Sequence, residues 1–342
     1  MNGSPFIKAC RGTNDGRIPI WIMRQAGRYL PEYRAVREKV SFEQLCKSPS
    51  LIAEVVRQPV QRFDLDAAIL FSDILTIMDP MGVPVSFPEG GPVLANPVNG
   101  PDDVAKLKPY DPALELTFVF DGISEIRKVL PASPIIGFAG SPFTLACYLI
   151  QGKGSSNFDK PKQFLHKYPA ASETLFNFLV DIVSRYLEEQ IKAGADTVQL
   201  FDSWGGILSQ DDYRHWSARP VQEIFRRLKR YNVPRILFVN NVAPYLDIVA
   251  DIDCEVIGVD YRCDIARAAA ALPHKAVQGN LDPAVLFGSK ESIVRQTGSI
   301  LDSLSTHDNF IFNLGHGIQP GTPVESVYTL VETVHGFQRS TA

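Results

Sequence analysis

The sequence predicts an α/β protein closed into a single (β/α)8 TIM barrel, with a small hairpin inserted between its second and third strands. Three observations predict it. Eight short runs rich in β-branched or aromatic residues recur along the chain and end against Gly, Asp, Asn or Ser. Helical stretches separate most of them, so the unit is βα repeated about eight times, which demands parallel strands covered by helices. The first run is followed by Arg24-Gln25-Ala26-Gly27-Arg28, not by the GxGxxG turn with which an open doubly wound sheet binds dinucleotides.

In chain order the runs are Ile18–Met23, Ala67–Phe71, Pro134–Phe138, Thr197–Phe201, Arg235–Val239, Glu255–Val259, Ala276–Gly279 and Asn309–Asn313. Between the fourth and its predecessor, Ser172–Ala193 repeats apolar residues at Leu175, Phe178, Leu179, Ile182, Tyr186 and Ile191, close to the helical period. Pro283–Leu304 and Pro323–Phe337 follow the same spacing, each opening on a proline that suits a first helical turn. The chain exceeds a typical barrel by about 90 residues, and most of the surplus lies between the second and third runs. There Val83–Val93, with Pro84, Pro88, Gly90 and Gly91, reads as the hairpin. No Gly/Ser linker or low-complexity block divides the chain, so residues 1–342 are expected to form one domain.

Composition narrows the function. Lys and Arg number 34 against 38 Asp and Glu, a net charge of −4, and 45% of residues are apolar. Disorder is excluded, because burial on this scale offsets ordering entropy. Nucleic acid is not an expected partner, since a duplex binder carries a basic excess. No apolar run approaches the ~18 residues of a membrane span. Five scattered cysteines without a CxxC read as reduced thiols rather than a disulfide framework. The N-terminus shows no targeting signal, so a cytoplasmic location is expected, with a plastid stroma open if a transit peptide has been removed.

In such a barrel the C-terminal strand ends converge on one mouth, where chemistry sits. After the eight runs stand Arg24, Gln25 and Arg28; Ser72 and Asp73; Gly140, Ser141 and Tyr148; Asp202 and Ser203; Asn240 and Asn241; Asp260 and Arg262; Asn280 and Asp282; and Gly315, His316 and Gly317. Many short polar groups at such ends are simply helix caps. Arg24 and Arg28 are four apart, so on a helix or wide turn they face the same way and can bind carboxylates through their forks. The competing reading pairs them with Glu32 and Glu38. Asp73, set among Leu70, Phe71, Ile74 and Leu75, is costly unless it caps a helix, finds donors or serves a ligand. The glycines of Gly137-Phe138-Ala139-Gly140-Ser141 are expected to let backbone approach a flat ligand, with Phe138 and Phe143 as walls. His316, between two glycines, is expected to face a cleft. His166, His215, His274, His307 and His335 lie away from the strand ends. No HExxH, HxH or His-x-Cys occurs, so no metal site is expected, and GxSxG is absent.

Five ordered motifs carry a resemblance. Pro19-Ile20-Trp21-Ile22-Met23-Arg24-Gln25-Ala26-Gly27-Arg28-Tyr29-Leu30-Pro31-Glu32-Tyr33 resembles the N-terminal signature of the uroporphyrinogen decarboxylase family. Phe71-Ser72-Asp73-Ile74-Leu75, Gly137-Phe138-Ala139-Gly140-Ser141-Pro142-Phe143-Thr144, Gln199-Leu200-Phe201-Asp202-Ser203-Trp204-Gly205-Gly206 and Asn313-Leu314-Gly315-His316-Gly317-Ile318 match in order. The resemblance runs from about Phe6 to Phe337. It implies an active-site set of Arg24, Arg28, Asp73, Tyr148, Ser203 and His316, with Asp73, Arg24 and Tyr148 catalytic. It also implies substrate-lining positions at Gln25, Ala26, Ile69, Phe138 and Phe201, with Arg37 as a further basic position near the mouth. It implies a homodimer, no cofactor, and as substrate a cyclic tetrapyrrole with four acetates and four propionates. Two segments depart from the family pattern. Asn240-Asn241-Val242-Ala243 stands where a Lys-Gly-type loop is usual, and Asp260-Tyr261-Arg262-Cys263-Asp264 places Arg and Cys where small polar residues are commoner.

The chemistry implied is loss of CO2 from each acetate. Most decarboxylases recruit an electron sink such as PLP; a pyrrole protonated on a ring carbon is its own sink. Asp73 then acquires a role, because an ionised carboxylate offers only acceptors to the pyrrole N–H groups and faces each ring as it turns cationic. At ~4 Å and an effective dielectric of ~20 that attraction is ~4 kcal/mol, about three decades of rate. Two other readings compete: a corrinoid or thiol methyltransferase of the same barrel superfamily, which would want zinc ligands at the strand ends, and a non-enzymatic tetrapyrrole carrier, which would not need Asp73.

Overall fold

The computed structural model describes residues 3–305 and 309–338; His307 lies outside them. In chain order the strands are β1 (Ala68–Ile69), β2 (Val85–Ser86), β3 (Val93–Leu94), β4 (Ile135–Gly140), β5 (Thr197–Asp202), β6 (Arg235–Val239), β7 (Val256–Val259), β8 (Ala276–Leu281) and β9 (Phe310–Leu314). Seven of them form one parallel sheet in the order β1-β4-β5-β6-β7-β8-β9. Neighbours in space are successive βα units, as right-handed crossovers require. The remaining two make the predicted hairpin, with Val85 opposite Leu94 and Ser86 opposite Val93.

The first expected strand is the one that differs. Ile18–Met23 makes a single bridge, Ile20 to Phe312, and a mixture of backbone and side-chain hydrogen bonds holds the rest of it. On the β9 side, Phe312 N–H donates to Pro19 O at 2.8 Å and Met23 N–H donates to Asn313 Oδ1 at 3.0 Å. On the β1 side, Asp66 N–H donates to Ile20 O at 2.9 Å, and Ile20 N–H donates to Asp66 Oδ2 at 2.8 Å. Pro19 has no N–H to offer a ladder. The segment therefore closes the barrel between β9 and β1 without being a regular strand.

The interior is packed. All residues of β4, β5, β6, β8 and β9 are buried, as expected of strands covered on both faces. A polar row crosses the barrel: Trp21 Nε1–H donates to Gln278 Oε1 at 2.8 Å, and Gln278 Nε2–H donates to Gln199 Oε1 at 3.1 Å.

Helices alternate with the strands. The one predicted over Ser172–Ala193 spans Pro169–Lys192, with proline in its first turn. Pro283–Leu304 is divided: a 3-10 turn, Pro283–Phe287, ends at Gly288, and Lys290–Ser303 starts afresh with Ser289 Oγ accepting from Ser292 N–H. The helix Val324–His335 begins just after Pro323, which is its N-cap. All five cysteines are buried and free; burial pushes the Cys263 thiol up to about 11. Among the described residues no helix is long and apolar enough to cross a membrane.

Candidate active site

The mouth is assembled from four strand ends and the irregular closing segment. Residues 24–30 run as turns and bends, and the next helix starts only at Pro31. Arg24 and Arg28 thus lie on a turn rather than on a helix, the second of the two placements their spacing allowed. Arg24 instead adopts φ +65°, a left-handed backbone that a non-glycine residue holds at a cost of about 1–2 kcal/mol. Its aliphatic stem crosses the loop after β9: a Cβ on Gly317 would lie 2.5 Å from Arg24 Cδ and 2.9 Å from Nε. Among the described residues no carboxylate lies within ion-pair distance of Arg24 or Arg28. Glu32, the alternative partner, is held through both oxygens by Arg62 at 2.9 Å. The two guanidiniums stand ready for a ligand's anions.

Asp73 follows β1 and does cap, but with one oxygen only. Its Oδ1 accepts from Leu75 N–H at 2.8 Å, at the start of the 3-10 turn Ile74–Ile77. Oδ2 has no hydrogen bond from the described residues. Burial lifts this carboxyl above the usual carboxylate range, while the Leu75 N–H and the nearby Arg24 charge pull it back. Tyr148 stands on the helix Pro142–Gln151, half-buried, its hydroxyl receiving Trp204 Nε1–H at 3.5 Å. Burial raises its phenol too; among the charges acting on it are Asp73, which raises it, and Arg24, which lowers it. Three residues distant in sequence therefore share one electrostatic neighbourhood.

Aromatic rings line the mouth. Phe138 and Phe201 meet at 5.5 Å, Phe201 and Phe238 at 5.9 Å, and Phe238 and His316 at 6.4 Å between centroids. Ile69 ends β1, buried, and Ala26 is half-buried in the turn after Arg24. Burial, Arg24 and Arg262 together push His316 down to about 4. At neutral pH this imidazole is uncharged, so it offers hydrogen bonds and not a cation. Ser203 is half-buried, with its carbonyl accepting from Asn240 Nδ2–H at 3.3 Å.

Three expected features have definite partners in the structure. Gln25 is buried with its side chain turned into the barrel wall: Oε1 accepts from Ile22 N–H at 3.1 Å and Nε2–H donates to Ala67 O at 3.2 Å. Its side chain positions the closing segment. Gly137 and Gly140 do not make room for a flat ligand. A Cβ on Gly137 would lie 2.5 Å from Gln190 Oε1, and one on Gly140 2.9 Å from Leu145 Cδ2, so both admit the protein's own side chains. Arg37 lies over the Phe42 ring at 5.9 Å, with a guanidinium N–H on Val40 O, and its charge and that of Arg28 both act on Tyr33.

Residues not singled out for the site also matter. Asp202 is fully buried and accepts from Ser141 Oγ–H at 2.5 Å, Thr144 Oγ1–H at 3.2 Å and Ser217 Oγ–H. Thr144 Oγ1 in turn accepts from Trp204 N–H at 3.2 Å, and Trp204 reaches Tyr148. The sequence marked Ser141 and Asp202 as strand-end residues and carried Thr144 and Trp204 in its motifs, but not that they bond to one another. Asp73 also lines a cavity of about 320 Å³ whose walls include Glu43, Lys47, Asp79 and Glu115. Four acids, Asp73 among them, stand there against one lysine. Among the described residues no group of three or more His, Cys, Asp or Glu side chains is arranged to hold a metal ion.

Comparison with known proteins agrees with this geometry. The chain resembles in fold a methyltransferase from Methanosarcina mazei (TM-score 0.81, 20% identity, 96% of this chain and 97% of that one). It also resembles a B12-independent methionine synthase from Shewanella sp. W3-18-1 (TM-score 0.61, 12% identity, 94% and 97%). At these identities the likeness concerns the barrel alone. Sequence relatives are closer: a uroporphyrinogen decarboxylase of Legionella pneumophila strain Corby is 46% identical over 341 residues, 98% of this chain and 97% of the relative. One from Acidovorax sp. strain JS42 is 43% identical over 362 residues, 99% and 98%. The family model described as uroporphyrinogen decarboxylase matches residues 1–337. A barrel mouth carrying Arg24, Asp73 and Tyr148 together, on a chain alike over its whole length, places this protein in the uroporphyrinogen decarboxylase family.

Proposed function

We propose that this chain decarboxylates the four acetate side chains of uroporphyrinogen to methyls, giving coproporphyrinogen and four CO2 without a cofactor. The observation that carries the reading is the open Oδ2 of Asp73, in the same electrostatic neighbourhood as Arg24 and Tyr148. In this reading Asp73 accepts the pyrrole N–H groups and steadies each ring as it becomes cationic. Because that charge develops only on the way to the transition state, the interaction acts on turnover more than on binding.

Arg24 and Arg28 hold substrate carboxylates, Ser203 and Tyr148 orient them, and Arg37 adds positive potential at the edge. Phe138, Phe201, Ile69 and Ala26 give the macrocycle apolar surface. His316, uncharged at neutral pH in the free protein, donates a ring N–H to a propionate. The reading extends to one barrel domain, to a homodimer and to a cytoplasmic setting, supported by the family resemblance. The test is anaerobic incubation with uroporphyrinogen III followed by chromatography of the oxidised products. Stepwise appearance of hepta-, hexa-, penta- and tetracarboxylate species is expected; unchanged substrate overturns the reading.

A further inference from the structure

The two segments that depart from the family pattern touch each other. Arg262 Nη1–H donates to Asn240 Oδ1 at 3.1 Å, joining the loop after β7 to the loop after β6. Asn240 in turn donates Nδ2–H to Ser203 O at 3.3 Å, so the contact reaches a residue of the mouth. Beneath it, buried Asp260 ties both loops down: Oδ2 accepts from Val242 N–H at 2.8 Å and Oδ1 from Arg262 N–H at 3.0 Å. The Arg262 guanidinium lies 4.4 Å from the centroid of the Tyr261 ring, with Asp260 Oδ1 at 3.7 Å. It is oriented on two sides yet half-exposed.

Its position faces the ligand side. A Cβ on Gly315 would lie 2.2 Å from Tyr261 N, so the Tyr261–Arg262 backbone runs directly against the loop that carries His316. Arg24 and Arg262 both depress the protonation of that imidazole, which puts two guanidiniums around one neutral ring. Asp260, its nearest acid, already accepts two backbone N–H groups and is buried, leaving the outer N–H groups of Arg262 for a ligand. A substrate with eight carboxylates has more anions than Arg24 and Arg28 alone can pair.

We propose that Arg262 is a carboxylate-binding residue of this chain's active-site mouth, which holds a propionate of the tetrapyrrole and supplies from the β7 loop a cation that Asn240 does not carry. This rests on the decarboxylase reading. Propionates survive the reaction, so Arg262 holds substrate and product alike and acts on binding rather than on the chemical step.

The experiment compares wild type with R262T, R262K and the double variant N240K/R262T, measuring KM and kcat for uroporphyrinogen III and inhibition by coproporphyrinogen III. R262T is expected to raise KM and the inhibition constant together by about fivefold, as loss of a half-exposed charge-assisted contact implies, with kcat within about twofold. R262K recovers part of the loss, since an ammonium keeps the charge but not the fork. N240K/R262T returns both constants toward wild type, because a lysine at 240 starts where the Arg262 guanidinium now ends. Unchanged constants in R262T overturn the proposal, as does a rise that neither R262K nor N240K/R262T reduces, which makes Arg262 a structural brace. Wild-type protein without turnover fails the decarboxylase reading itself, a separate result.

Discussion

Asp73 and Asp202 are the same chemical group near the C-terminal ends of two strands, Asp202 as the last residue of β5 and Asp73 four residues after β1. Burial raises the carboxyl of each. Their surroundings differ. Asp202 is enclosed by the hydroxyls of Ser141, Thr144 and Ser217, and both its oxygens are occupied. Asp73 has one backbone N–H on one oxygen, the other takes no hydrogen bond from the described residues, and the Arg24 charge acts on the group. A buried carboxylate saturated by its own protein braces the fold. One left half-satisfied holds unspent acceptor capacity that a ligand with N–H donors can use. The comparison separates structural from functional anions by counting which lone pairs are taken, which neither burial nor charge would do.

The sharpest way to break the contrast is Asp73→Asn. Turnover should fall by about three decades while the melting temperature stays at or above that of wild type, since the amide oxygen still caps Leu75 and the cost of burying a charge is gone. Steady-state kinetics and calorimetry check both halves; near-native kcat removes Asp73 from the mechanism. The converse is Asp202→Ala. Three buried hydroxyls then lose their acceptor, and stability should drop by about 3 kcal/mol or more. Asp73→Ala, which loses one cap, should cost about 1 kcal/mol. Equal losses in denaturant unfolding would erase the distinction.

The pH dependence gives a finer test. The Asp73 carboxyl is held above its ordinary range, and the ionised form is the useful one. Log kcat should therefore decline as pH falls through that raised value, at higher pH than an unperturbed aspartate would show. Stability moves the other way. The native state binds this proton more tightly than the unfolded chain does, so Asp73's contribution to stability is fully present below its unfolded value and is lost as pH rises through the folded one. A kcat profile flat down to pH ~4 contradicts the assignment. The smallest expected effect is Trp204→Phe. Its 3.5 Å contact to the Tyr148 hydroxyl is long, so kcat should fall about two- to threefold, with stability nearly unchanged. No change would show that the Asp202–Thr144–Trp204 chain stops short of the chemistry.

Much of this was legible in the chain. The βα rhythm announced the barrel, because strands covered by helices must read as short apolar runs ending in turn residues. Asp73 stood out as a charge inside an apolar stretch, and Arg24, Tyr148 and His316 as strand-end residues. Other features were not legible. Ile18–Met23 has the composition of a strand, yet Asp66 and Asn313, distant in sequence, supply much of its pairing. The Arg24–Arg28 spacing allowed a helix or a wide turn and could not choose between them; the chain turns at Arg24 with a left-handed backbone that spacing does not encode. Gln25 and the glycines at 137 and 140 lie within the right motifs, and only their neighbours reveal that they serve the wall.

Sequence by itself determined the order of strands and helices and the set of polar groups delivered to the mouth, since periodicity and turn chemistry act over a few residues. Tertiary structure alone decided how those groups divide their hydrogen bonds: that Asp202 is saturated and Asp73 is not, that Glu32 goes to Arg62 and leaves the paired arginines bare, and that Asn240 meets Arg262 across two loops. The reason is that a lone pair is free or taken according to which distant backbone and side chain arrive beside it, and that depends on packing between segments the local pattern does not couple.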